Sequence, residues 1–200
     1  MGNGGLTMPA LRISALSDPR LIDLLKNGAI GVMPTDTVYG LVGIANNQLA
    51  ITRLYHLKSR ARQPGTTIAA TTDQLIALGF PRAEVLKAAR FWPNAVSVEM
   101  SAASLPRYLS DGQEHMAARI PAHSDLQKLL LTTGPLMTTS ANTPNAPTSQ
   151  SIDQAIDYFG EKIDFYVDIG PLGDRPPSTI IGFDSAGEII VYRQGAVPIL

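Results

Sequence analysis

Short apolar runs that end in proline or polar turns alternate along this chain with stretches of helical periodicity. That alternation restricts it to a layered α/β or α+β fold. Asp18-Pro19 has the form of an N-cap followed by proline at the first helical position. Leu21, Ile22, Leu24 and Leu25 then supply an apolar face, and Gly28 a stop. Residues 29–33 are a short apolar run closed by Pro34, which predicts a buried strand. Leu49, Ile51, Leu54, Tyr55 and Leu57 predict a second helix, with Lys58 and Arg60 at or just past its end. Residues 66–71 are strand-like, and 73–79 and 82–91 helical, before Trp92-Pro93-Asn94 turns the chain. Val96, Val98 and Met100 alternate with Ser97 and Glu99, the pattern of a half-buried strand. Residues 117–120 form another strand, Ser124-Asp125 caps a helix carrying Leu126, Leu129 and Leu130, and 135–139 run as a strand into Ser140. A helix over 151–159 precedes three strands, 164–169, 178–183 and 188–193, with Asp184-Ser185-Ala186-Gly187 turning the last pair.

Composition narrows the function classes. The 200 residues suit one domain with a real core, and 44% apolar against 16% charged content argues for a compact protein rather than a disordered one. A net charge of −1 recruits neither RNA nor an anionic membrane globally, so a nucleic-acid contact must be a local patch. Zero cysteines exclude disulfides and thiolate metal sites. No apolar run reaches the roughly twenty residues that cross a bilayer. Met1-Gly2-Asn3-Gly4-Gly5 lacks the form of a secretory signal, and Leu6 stands where myristoylation favours Ser or Thr. We expect a flexible segment over 1–14, a single domain over 15–200, and a cytoplasmic protein without a membrane partner.

Three polar clusters carry candidate chemistry. Thr35-Asp36-Thr37 follows a strand and a proline, where open α/β sheets gather ligands; the alternative is a local cap. Tyr39-Gly40 adds an aromatic wall and a site of close backbone approach. Lys58, Arg60 and Arg62 recur at every second position, so an extended segment would point all three to one side, as a polyphosphate requires. Favourable cationic termination of a helix is the alternative. Thr138-Thr139-Ser140-Ala141-Asn142 puts hydroxyls, an amide and backbone N–H groups in one turn, either an anion cradle or a turn satisfying itself. Arg119 lies in an apolar strand and must pair with an acid or face a ligand cavity; Arg193 near the end poses the same choice against simple exposure at an edge. Ser178-Thr179 begins a strand. The histidines have no metal-ligand spacing, with His56 in a helix, His115 in a polar loop and His123 before the capped helix. Dinucleotide and P-loop glycine motifs and a nucleophile elbow are absent.

The ordered set resembles the YrdC-like family of threonylcarbamoyl-adenylate synthases. Its landmarks are Pro34-Thr35-Asp36-Thr37-Val38-Tyr39-Gly40, Lys58-Ser59-Arg60, Trp92-Pro93, Arg119-Ile120-Pro121-Ala122-His123, Ser140-Ala141-Asn142, Pro177-Ser178-Thr179-Ile180 and Arg193-Gln194-Gly195. The resemblance implies a twisted open mixed sheet with surrounding helices and a large concave cavity, in the short form without an extra C-terminal domain. It implies a nucleotidyltransferase that makes threonylcarbamoyl-AMP and pyrophosphate from ATP, L-threonine and bicarbonate, for tRNA modification by downstream transfer proteins. ATP would be a substrate, with Mg²⁺ carried by its triphosphate rather than by a protein metal site. Carried over by position, Lys58, Arg62, Ser140, Thr148 and Arg193 resemble ATP contacts. Thr35, Arg119, Thr138 and Ser178 resemble the threonine side, and Lys58, Arg60, Ser140 and Asn142 the catalytic signature. The chain departs from the family at Asn94-Ala95-Val96-Ser97, where an asparagine can adopt a left-handed turn. It departs again at Thr67-Ile68-Ala69, which lacks a histidine, and at Ala61, which replaces a proline. The alternative is a paralogue that binds nucleotide, tRNA or double-stranded RNA and takes another small substrate.

Overall fold

The structure, a computed structural model, describes residues 9–58 and 65–199. Its strands are β1 (Leu11–Ile13), β2 (Gly31–Pro34), β3 (Tyr39–Ile44), β4 (Thr66–Ile68), β5 (Val96–Ser101), β6 (His115–Arg119), β7 (Leu136–Ser140), β8 (Phe165–Val167), β9 (Thr179–Phe183) and β10 (Ile189–Arg193). Its helices are α1 (Pro19–Lys26), α2 (Gln48–Lys58), α3 (Thr72–Leu78), α4 (Arg82–Ala88), α5 (Arg107–Ser110), α6 (Ser124–Thr133) and α7 (Ile152–Phe159). The strands form one mixed sheet in the order β1-β8-β2-β3-β7-β4-β6-β5-β9-β10. The four parallel pairings, β1–β8, β2–β8, β4–β6 and β5–β9, need crossovers, and helices supply most of them.

Alternation along the central strands builds two apolar layers, because successive side chains point to opposite faces. Val32, Leu41 and Met137 join one core with Ile51 and Leu54 of α2, Leu75 of α3, Val85 of α4 and Phe159 of α7. Met33, Val42 and Leu136 join the other with Leu21 and Leu25 of α1 and Leu126, Leu129 and Leu130 of α6. Tyr166 of β8 is buried and donates its hydroxyl to the Gly160 carbonyl at 2.7 Å; burial pushes its phenol up to about 12. No helix among the described residues is long and apolar enough to cross a membrane.

Several expectations are corrected. Part of the segment expected to be flexible, Leu11–Ile13, is strand β1, parallel to β8, and Arg12 binds Asp168 at 2.7 Å and Asp153 at 3.1 Å. Strand β3 and the short helix α5 were not expected at all. Strand β5 is covered on both faces, so Ser97 is fully buried rather than solvent-facing. His115 begins β6 instead of lying in a loop. His123, not Ser124, caps α6: its Nδ1 accepts from the Leu126 N–H at 3.3 Å. Among the described residues the non-glycine positive φ angles belong to Asp111 and Asn145, so Asn94 is not left-handed; its Oδ1 accepts from the Ala95 N–H at 2.9 Å.

Gly31 lets β2 lie against β8. A Cβ there would stand 2.4 Å from the Phe165 carbonyl oxygen and 2.5 Å from its ring. Backbone cannot yield as a flexible side chain can, so Gly31→Ala should lower unfolding free energy by about 1–3 kcal/mol, measured by urea titration.

Candidate anion-binding active site

The first wall of the site is the connection from β2 to β3. Thr35 folds it locally: its Oγ1 donates to the Val38 carbonyl at 2.7 Å and accepts from the Thr37 N–H at 3.3 Å. The cap reading of this segment therefore holds together with the site reading, since Thr35, Thr37 and Val38 also face the cavity. Gly40 then pairs with Ser140 in the β3–β7 ladder. Its missing side chain is required there: a Cβ would stand 2.5 Å from Thr138 Oγ1 and 3.1 Å from Thr35 Cγ2. Glycine thus allows the two threonine side chains to approach the same point.

The second wall is the turn after β7. Lys58, at the end of α2, is 1% exposed. Its Nζ donates to the Ser140 carbonyl at 2.9 Å, the Asn142 carbonyl at 2.6 Å and Asn142 Oδ1 at 2.6 Å. Ser140 Oγ donates to the same Oδ1 at 2.7 Å, and the Asn142 amide donates to the Ala146 carbonyl at 2.6 Å. Lys58 and Asn142 therefore stand behind Ser140, which lines the cavity while they do not. Lys58 and the Ser-Ala-Asn turn thus meet directly. Arg60 and Arg62 lie outside the described residues.

The third wall joins the guanidinium groups of Arg119 and Arg193 through serines. Arg119, 4% exposed in its side chain, is held by Asp36, 7% exposed. Its Nε donates to Asp36 Oδ1 and Oδ2 at 3.1 and 3.2 Å, and its Nη2 to Oδ1 at 2.6 Å. Its Nη1 reaches Ser97 Oγ at 3.5 Å, and Ser97 Oγ lies 3.0 Å from Ser178 Oγ. Arg193 folds back from the sheet edge, with Nη2 donating to the Ser178 carbonyl at 2.8 Å and approaching its Oγ at 3.4 Å. Burial, and secondarily the nearby Arg119 guanidinium, lower the Arg193 pKa from its ordinary value. Both alternatives open for Arg119 apply, because it is paired and also faces the cavity.

These walls enclose a cavity of about 1000 Å³. Thr35, Arg119, Thr138, Ser140, Ser178 and Arg193 all line it, drawn from segments far apart in the chain. Thr148 does not line it; its loop is tied down by Ser149, whose hydroxyl donates to the Ala141 carbonyl at 2.5 Å. The excursion between β5 and β6 adds a wall that sequence reasoning missed, with Arg107, Asp111 and Glu114, beside His115 at the start of β6. No local pattern could have revealed it, because α5 and its flanks reach the cavity only through the pairing of β5 with β6. Among the described residues, no three His, Asp or Glu side chains group as a metal site. Hydroxyl and guanidinium donors converging on a partly desolvated space suit carboxylate and phosphate groups.

An open mixed sheet carrying a cavity lined by hydroxyls, guanidiniums and carboxylates defines an α/β protein with a polar small-molecule-sized site. The particular group follows from its relatives: the chain belongs to the Sua5/YciO/YrdC family, whose model, described as telomere recombination, matches residues 23–195. It is 34% identical over 181 residues to a Mycobacterium leprae protein provisionally named threonylcarbamoyl-AMP synthase, covering 88% of this chain and 81% of that one. It is 34% identical over 170 residues to the threonylcarbamoyl-AMP synthase of Pseudoalteromonas translucida, covering 80% of this chain and 89% of the relative. The crystal structure of Pyrococcus abyssi Sua5 complexed with L-threonine superposes with a TM-score of 0.80 at 26% identity, over 94% of this chain and 58% of that longer protein.

Lys58→Ala removes the donor from three acceptors in the turn after β7. The Ser140 carbonyl keeps the Asn142 N–H and Asn142 Oδ1 keeps the Ser140 hydroxyl, so the Asn142 carbonyl is the acceptor that loses its donor, at about 1–3 kcal/mol, and the variant should unfold at lower urea than the parent protein. An unchanged midpoint would show that the turn holds itself without Lys58.

Proposed function

We propose that this chain is an L-threonylcarbamoyladenylate synthase, forming threonylcarbamoyl-AMP and pyrophosphate from MgATP, L-threonine and bicarbonate. The observation that carries the reading is the convergence of Thr35, Arg119, Thr138, Ser140, Ser178 and Arg193 on one cavity. Support also comes from relatives that carry the synthase name over most of this chain.

The chemistry suits such a site. The threonine amine and bicarbonate give a carbamate and water. A carbamate oxygen then bonds to the α-phosphorus of ATP as the bond to the β-phosphate bridge breaks, releasing pyrophosphate. The carbamate, the carboxylate and the triphosphate are all anionic, so alignment and neutralisation supply the catalysis, without a covalent protein intermediate. In this reading Arg119 and Ser178 take the amino-acid carboxylate, while Thr35 and Thr138, brought together by Gly40, take its polar atoms. Ser140 and Arg193 serve the triphosphate, and Arg62 is assigned to it with them. Asn142 and Lys58 hold the Ser140 wall in place, and Arg60 completes the nucleotide side. Mg²⁺ arrives with the triphosphate as part of the substrate. The product would pass to proteins that transfer the threonylcarbamoyl group to tRNA in the cytoplasm.

Pyrophosphate release should require ATP, L-threonine and bicarbonate together, with omission of any one abolishing it. Arg193→Ala should slow the complete reaction by about 10²–10³-fold, the usual loss for one preorganised donor. Release that ignores threonine, or tight salt-sensitive RNA binding without any release, would overturn the reading.

A further inference from the structure

We propose that Asp36 is a positioning residue that aims Arg119 at the amino-acid carboxylate, and so sets the affinity for the small acid substrate. This inference rests on the reading of Arg119 and Ser178 as the carboxylate site.

The argument begins from what a guanidinium can offer. It is planar, with five N–H groups in a fixed fork, so holding one edge fixes where the others point. Asp36 occupies the Nε/Nη2 edge of Arg119 with both carboxylate oxygens. The Nη1 group is left with one long contact, 3.5 Å to Ser97 Oγ, and Arg119 lines the cavity. Asp36 itself does not line the cavity, although its neighbours Thr35 and Thr37 do. It therefore acts through Arg119 instead of touching the ligand.

Its placement has a chemical reason. Arg193 contacts Ser178 directly and Arg119 reaches it through Ser97, and burial together with the nearby Arg119 cation disfavours the charged form of Arg193 in this partly desolvated space. One buried carboxylate leaves the pair with a single surplus positive charge. A substrate carboxylate would offset that remaining charge of the pair. The connection runs from Asp36 through Arg119, Ser97 and Ser178 to Arg193, so the short β2–β3 turn, β6, β5, the start of β9 and β10 share one polar chain. A bidentate pair supplies the geometric fixing that a lone charge lacks.

A steady-state study of pyrophosphate release, titrating L-threonine at saturating ATP and ATP at saturating L-threonine, distinguishes this role from a structural one. Asp36→Asn should raise the KM for L-threonine about tenfold while the KM for ATP stays within about twofold. In Asp36→Asn/Arg119→Lys, threonine KM should be little worse than in Arg119→Lys, because the two residues act as one unit. Asp36→Glu keeps the charge and lengthens the arm by one methylene. A positioning role predicts a raised threonine KM for it, and a charge-only role a parental value. Asp36→Glu also serves as the test if Asp36→Asn does not fold. A folded Asp36→Asn with parental threonine KM, or with both substrates' KM raised equally, would overturn the proposal. A parent protein that releases no pyrophosphate with threonine would overturn the synthase reading, and this inference with it.

Discussion

The pairing of Gly40 with Ser140 in the β3–β7 ladder is the contact on which the site depends. It places the connection after β2 beside the end of β7, two segments about a hundred residues apart. Because the position on β3 is glycine, Thr138 Oγ1 and Thr35 can share the space above it. Lys58 then fastens the turn that begins at Ser140, and that turn forms the cavity wall. One ladder position thus fixes the threonine hydroxyls and the Ser140 wall in a single register, because a slip by one residue would turn every side chain to the other face.

The remaining constraint is electrostatic. A site made to hold anions must concentrate cations before any anion arrives, and desolvation raises the cost of doing so. The fold meets this with a buried bidentate Asp36–Arg119 pair, and by tying Arg193 to the Ser178 carbonyl. Serine hydroxyls between the two guanidiniums can turn either way, so they can adjust to the charge around them. The fixed parts are the ion pair and the backbone acceptors. The adjustable parts are Ser97 and Ser178.

Much of this was legible in the sequence, in a specific way. The Asp18-Pro19 signal located the start of α1, and the ordered landmarks drew attention to Thr35, Arg119, Thr138, Ser140, Ser178 and Arg193, which line one cavity. Strand β3 escaped because Tyr39–Ile44 is buried on both faces and carries glycines at 40 and 43, which imitate turn signals instead of alternation. The Lys58 side chain was legible as part of the site but not in direction, since spacing cannot say that its ammonium turns inward to carbonyl oxygens. Asp36 could be read as a cap because its partner, Arg119, is 83 residues away. The wall between β5 and β6 left no local trace, being set by strand order alone. Short-range chemistry was readable, whereas contacts created by the sheet were not.

The most direct test of the central claim is a crystal structure of this chain with L-threonine and a non-hydrolysable ATP analogue. The account predicts the amino-acid carboxylate at Arg119 and Ser178, its other polar atoms near Thr35 and Thr138, and the triphosphate reaching past Ser140 toward Arg193. Threonine density at the acidic β5–β6 wall, or a nucleotide bound outside the cavity, would contradict it.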